Sequence, residues 1–154
     1  MEGSSVERLK KLTAEHKEQI LKEINSYYKP GGHRTIIKDI NSHCHVWQPN
    51  PEESDLSHSS KYYIKETVHQ LVDCEDKRVP VHQLVYFLHK GKVPKYPQVI
   101  SHICHNERCT NIHHLSLERQ QVNKKRQKCC RIRRCIGHGS KPKCKLFWNK
   151  VCYQ

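Results

Sequence analysis

The stretch from Ser101 to Cys129, SHICHNERCTNIHHLSLERQQVNKKRQKC, holds three Cys, four His and a late Asn. Within it, Cys104-x4-Cys109-x4-His114 sets three soft ligands around one tight loop. Zinc favours four nitrogen or sulfur ligands in a tetrahedron, and a loop this short supplies three of them. The fourth must come from elsewhere. Cys44, inside His43-Cys44-His45, is the choice; His105 and His113 are local competitors, and His43 and His45 distant ones. The plainer alternative is a set of ordinary reduced thiols. Three ligands at this spacing, bracketing polar residues, speak against it.

A second set follows, Cys129-x5-Cys135-x2-His138-x5-Cys144. It lies in a segment with almost no apolar residues, which would hold no shape unaided, so bound metal would supply its folding energy. Cys130 is an alternative to Cys129. Cys74, Cys130 and Cys152 are otherwise left over as structural or free thiols.

Two residues in this region fit neither set. His102, two positions before Cys104, would compete with a set already complete if it bound zinc. As a general base it is well placed, because the zinc loop would hold it rigidly and imidazole titrates near neutral pH. Asn123 lies nine residues after His114. Its amide carbonyl is a neutral hard donor of the kind that suits magnesium, which takes phosphate oxygens as further ligands. Taken singly, such a His is usually a spectator and such an Asn usually surface. Together they could flank one scissile phosphate, with His102 deprotonating a water and an Asn123-held metal neutralising the leaving oxygen.

The elements that must position these residues are short. Of 154 residues 35% are hydrophobic and 7% aromatic, thin for a core, so a metal staple would help. Leu9, Leu12, Ile20, Leu21, Ile24 and Tyr27 recur near helical spacing and predict a helix over 5–28. Ser4 and Glu7 would form a capping box, Thr13 would cap a second segment, and Pro30, Gly31 and Gly32 would end it. HRTIIKDI, HCHVWQ and KYYIKETVHQLV read as strands of an antiparallel sheet, with a loop over 49–60. VHQLVYFLHKG reads as a short helix with Pro80 in its first turn and Gly91 just past its end. PQVISHIC and HLSLE read as two further strands around the polar loop, then a helix over 118–128 and a loop-like tail from Cys129.

Charge is unevenly placed. The net charge is +13, and from Glu118 to Gln154 there are twelve Lys or Arg against one acid. The rest of the chain carries sixteen basic and fourteen acidic residues. A basic block of this size usually meets phosphate, the bland alternative being a solvated tail. The Cys residues that punctuate it argue for order. MEGSSVERLKK is no secretory signal and no run reaches transmembrane length, so the expected setting is intracellular, nuclear rather than cytoplasmic, with thiolate ligands in place of a disulfide framework and no membrane partner.

The stretches SHICHNERC, NIHHL and VNKKRQKC, in order and at matching distances, resemble the His-Me finger (ββα-metal) nucleases. The likeness is closest to the His-Cys box homing endonucleases and their zinc-binding-loop relatives. It is strong over 80–129, weaker over 33–78 and the tail, and missing from the N-terminal helix. The resemblance implies a small zinc-stapled α+β fold with an N-terminal helix, an antiparallel sheet and a ββα-metal motif. It implies His102 as the water-activating histidine and Asn123 as the residue holding a single catalytic Mg²⁺. Cys44, Cys104, Cys109 and His114 match the first structural zinc site. Cys129, Cys135, His138 and Cys144 match the second, with different internal spacing. Lys61 stands where relatives carry a catalytic arginine; it keeps the charge and loses the two-point grip on phosphate. The sheet of 33–72 would enter the major groove of double-stranded DNA, turning Arg34, Lys38, Lys61 and Lys65 toward phosphates or bases. The familiar member embraces its dimer partner with a long C-terminal tail; here ten residues follow Cys144, and a homodimer is left open.

The expected organisation is a helical segment over 1–32, a sheet plus ββα nuclease core with the first zinc over 33–128, and a basic zinc-binding tail over 129–154. The expected function is Mg²⁺-dependent hydrolysis of DNA phosphodiesters, two zinc ions serving as staples. The runner-up is a zinc-stabilised nucleic-acid-binding module without catalysis, which would need neither His102 nor Asn123. A third reading, a protein-interaction module, predicts little salt dependence of partner binding.

Overall fold

The computed structural model describes residues 7–29, 35–48 and 80–145. A 3-10 turn (Glu7–Lys11) precedes helix α1 (Ala14–Ser26), strands β1 (Thr35–Lys38) and β2 (His45–Gln48), and helix α2 (Val81–Lys90). Strand β3 (Gln98–His102), a 3-10 turn (Ile112–His114), strand β4 (Leu115–Arg119) and helix α3 (Gln120–Ile132) complete the order. The strand read in KYYIKETVHQLV, the loop before it, Ser4 of the capping box, and Arg34, Lys61 and Lys65 lie outside the described residues.

The expected helix over 5–28 is divided at Thr13. Its backbone is extended there, and its hydroxyl accepts the His16 N–H at 3.2 Å, so a fresh helix starts as the cap predicts. Ile20 and Ile24, one turn apart, form the buried stripe of α1. They join Leu9, Leu12, Ile36, Trp47, Val81, Leu84, Val85, Phe87 and Val93 in one apolar cluster. Trp47 is its largest member, and the Tyr27 ring meets it edge-on at 5.3 Å. This cluster takes residues from the N-terminal segment, the first sheet and α2, and so supports the sheet from behind.

Helix α2 keeps the expected punctuation with one shift: Pro80 is its N-cap and not a first-turn residue. Gly91 at its end has φ +64, where an L side chain would be strained, and its N–H reaches the Phe87 carbonyl at 2.7 Å. Among the described residues the sheet is two antiparallel pairs. β1 meets β2 in the register Thr35↔Gln48 to Lys38↔His45, and β3 meets β4 from Gln98↔Arg119 to His102↔Leu115. Helix α3 leaves β4 directly and packs back on both strands, which makes the ββα unit.

The helix read over 118–128 is shifted along the chain. Glu118 and Arg119 belong to β4, and α3 runs on to Ile132, since nothing in QKCCRI breaks a helix. It stops where Arg133 turns left-handed at φ +55, its N–H and that of Arg134 capping the carbonyls of Cys130 and Cys129. No helix among the described residues is long and apolar enough to cross a membrane.

Candidate metal centres and the histidine beside them

The first centre is assembled by two elements far apart in the chain. Cys44 ends the β1–β2 turn, which is tied by Asp39 N–H to Cys44 O (2.8 Å), His43 N–H to Asp39 O (2.9 Å) and Cys44 N–H to Ser42 Oγ (3.3 Å). The β3–β4 loop brings Cys104, Cys109 and His114. Strand β2 clamps that loop: Trp47 N–H donates to Arg108 O at 2.9 Å and Thr110 N–H to His45 O at 2.7 Å. The Asn111 side-chain amide closes the contact on His43 O at 2.7 Å.

The four ligand atoms of Cys44, Cys104, Cys109 and His114 lie within 4.8 Å of one another, and all four residues are buried. His114 Nδ1 is 3.5 Å from both Cys44 Sγ and Cys109 Sγ. A zinc tetrahedron with Zn–S of about 2.3 Å and Zn–N of about 2.0 Å has S···N edges of about 3.5 Å, so the donor set fits the ion. Protonation points the same way. Hydrogen bonds from Cys104 and Cys109 hold the Cys44 thiol far below its usual value, while the same bonds and burial push Cys104 up. Three sulfurs this close cannot all ionise by themselves, and a dication resolves the conflict by taking all three as thiolates.

The second centre is local. Cys129 lies on the buried side of α3; the left-handed Arg133 reverses the chain, and Cys135, His138 and Cys144 return to meet it. His138 Nε2 is 3.6 Å from Cys129 Sγ and 3.2 Å from Cys144 Sγ. Backbone N–H groups of Ile136 and Cys144 donate to Cys129 Sγ (3.4 Å) and Cys135 Sγ (3.3 Å), as suits thiolates. Gly137 and Gly139, flanking the ligand His138, adopt φ +87 and +62. Cys130, the alternative to Cys129, is disulfide-bonded and stands outside the ligand cluster, which takes it out of contention. The other competitors stay out as well. His45 Nδ1 pairs with Tyr28 Oη at 2.9 Å, and His43 and His113 are exposed. His105 Nε2 is buried without a hydrogen-bond partner among the described residues.

His102 closes β3 and belongs to neither cluster. The chain turns after it, His105 N–H reaching His102 O, so Cys104 faces the first centre while the His102 ring meets the Cys109 carbonyl, Nε2 to O 3.1 Å. A nitrogen facing a carbonyl must donate, so the neutral ring carries its lone pair on Nδ1. The ring of His82, on α2, packs against it at 4.5 Å between centroids. Burial, above all, lowers the His102 pKa to about 4, so the ring is neutral at neutral pH. Asn123 is half-buried one turn into α3, the helix that returns over β3. Lys38 is exposed at the end of β1, its Nζ 5.2 Å above the Tyr28 ring.

Two features escaped the sequence reading. One is the His82 ring behind His102. The other is a buried ion pair, Arg126 Nε to Glu118 Oε1 at 2.7 Å and Nη2 to Oε2 at 2.8 Å. A signal for the pair exists in hindsight, since Glu118 is the one acid in the basic block that begins with it.

The chain matches no curated protein and no solved structure. A family model described as the zinc-binding loop region of homing endonuclease matches residues 38–152, a span that takes in both clusters, His102 and Asn123, and the chain belongs to that family.

Proposed function

We propose that the chain is a Mg²⁺-dependent endonuclease that hydrolyses phosphodiester bonds of double-stranded DNA. The single observation that carries the reading is the His102 ring, fixed by the Cys109 carbonyl with Nδ1 as its basic nitrogen and held outside both ligand clusters. A zinc loop that served only as a staple would have no use for an oriented imidazole.

In this reading His102 Nδ1 accepts a proton from water as the water oxygen bonds to phosphorus. The phosphorus–oxygen bond on the far side breaks, and its oxygen leaves with a proton from solvent. Asn123 offers its amide oxygen as the protein's donor to Mg²⁺. When bound there, the ion would neutralise charge on the phosphate and leaving oxygen. The two zinc ions take no part in chemistry; they hold the β3–β4 loop and the α3 tail. Lys61 would face the phosphate, and Lys38, with Arg34 and Lys65, would meet the duplex. The basic residues after Glu118 would add phosphate contacts that weaken steeply with salt.

The test is cleavage of random-sequence duplex DNA with and without Mg²⁺, alongside metal analysis. The parent chain should carry two zinc ions and nick DNA only with the added ion. His102→Ala should keep both zinc ions and lose about a hundred- to ten-thousand-fold in rate. A variant that cuts as fast as the parent overturns the assignment of His102. A parent that binds duplex yet never nicks it leaves the zinc-stapled binder as the better reading.

A further inference from the structure

The guanidinium of Arg126 uses its three nitrogens on two different parts of the molecule. Nε and Nη2 grip Glu118 of β4 in a two-point pair, and Nη1 lies 3.6 Å from Cys144 Sγ, a ligand of the second zinc cluster. Both charged residues are buried, at 1% and 2% exposure. Three thiolates and one neutral imidazole on a zinc dication leave a net charge of −1, so this cation faces a carboxylate and an anionic metal centre together. A lysine could reach one of them but could not span both in a plane.

Arg126 stands three residues after Asn123, and residues so spaced are neighbours on one helix surface. The turn of α3 that bears Asn123 is therefore pinned by the same group that touches the second zinc cluster. Its other anchor, Glu118, lies on the strand paired with β3, at whose end His102 stands.

We propose that Arg126 is a positioning residue: it couples occupancy of the second zinc site to the placement of Asn123 relative to His102. This rests on the nuclease reading. The zinc of the tail then does more than fold the tail, because its loss would free one side of Arg126 and loosen the turn that offers the Asn123 oxygen.

The experiment uses the full chain, the double variant Arg126→Met/Glu118→Leu, Cys135→Ser and the triple combination. The double variant removes both buried charges at once and so leaves no unpaired ion. Zinc content, duplex affinity, the Mg²⁺ dependence of cleavage, and Mn²⁺ binding to the complex with an uncleavable duplex are measured. The double variant should keep duplex affinity but need about 10- to 100-fold more Mg²⁺ for half-maximal cutting, with Mn²⁺ affinity falling by the same factor. Cys135→Ser should do likewise, and the triple should add little, since both changes cut one link. An unchanged Mg²⁺ requirement and Mn²⁺ affinity in the double variant overturn the proposal, as does a triple whose effect is the product of the two. Should the double variant not fold, Arg126→Lys decides: a parent-like Mg²⁺ requirement sinks the idea, a raised one with both zinc ions retained supports it. A parent that cuts no duplex at all defeats the nuclease reading itself, and this inference with it.

Discussion

The two zinc clusters have the same ligands, three Cys and one His, and little else in common. In the first, all four residues are buried, and Cys44 and Cys104 are sixty positions apart. In the second, every ligand falls between Cys129 and Cys144, and Cys135 and Cys144 are half-buried. The first turns His Nδ1 toward its sulfurs, the second Nε2. The first staples the β1–β2 turn to the β3–β4 loop; the second folds a tail onto the helix it came from. By the chain-entropy estimate for a crosslink, closing the longer loop is worth about 4 kcal/mol and the shorter about 3. The greater difference is what each loop holds. Around the first, β2 clamps the zinc loop by backbone hydrogen bonds, so losing the ion opens a contact between sheets. Around the second, the contacts are Arg126, backbone donors to sulfur, the Lys145 N–H on Ile103 O (2.7 Å) and Lys141 Nζ on Leu117 O (2.9 Å).

The sharpest way to break this contrast is to remove one ligand from each site. Structural zinc binding is worth about 10–16 kcal/mol in small zinc domains, so losing a ligand of a folding-critical site is severe. Cys109→Ala should abolish cooperative unfolding, whereas Cys135→Ala should leave a cooperative transition and raise amide exchange chiefly from Asn123 onward. Equal collapse in both, read by calorimetry and hydrogen exchange, would erase the distinction. Chelator competition tests the same point without mutation. One zinc, the half-exposed one, should leave while the fold persists, and the second only as the fold is lost, followed by a zinc-sensitive dye alongside circular dichroism.

A smaller effect is expected at the ion pair behind the second site. Glu118→Gln leaves Arg126 buried without its charge partner and should cost about 3–5 kcal/mol. Burial raises the Glu118 pKa, but Arg126, with the Ser101 and Ser116 hydroxyls, outweighs it, and the carboxyl sits below its usual value. A depressed folded pKa means that the contribution is whole above the ordinary carboxylate range and is lost as pH falls through the folded value. The parent should therefore lose its advantage over Glu118→Gln on acidification, a convergence that urea titrations at stepped pH would reveal.

The smallest effect concerns Gly137. A Cβ there meets nothing within 4 Å, so only the backbone at φ +87 resists substitution. Gly137→Ala should cost about 1–2 kcal/mol, roughly a tenfold loss of zinc affinity at the second site and none at the first. Competition with a chromophoric chelator measures it.

Much of this molecule was legible in advance because it is local. Ligand spacings of two to five residues lie within one loop, and a loop that short can only bring them together. Gly91 and Thr13 announced helix ends through chemistry that acts within one turn. The remainder depended on approach between distant segments. Cys129 and Cys130 both fall on the buried side of α3, so periodicity could not choose between them; the disulfide at Cys130 and the returning His138 did. The α3 boundary moved because β4 claimed Glu118 through pairing with Val99, a contact invisible to propensity.

By itself the sequence determined that Cys and His at ligand spacing fall in two groups, that Cys44 was a candidate to complete the first, and that a surplus of positive charge gathers around the second. Only the tertiary structure decided which nitrogen of His102 carries the lone pair and which acid neutralises Arg126. Apart from Cys44, the ligand sets are a matter of residue type and short-range reach, both written in the chain. The orientation of an imidazole and the partner of a buried cation are set by whichever carbonyl or carboxylate folding carries to their side.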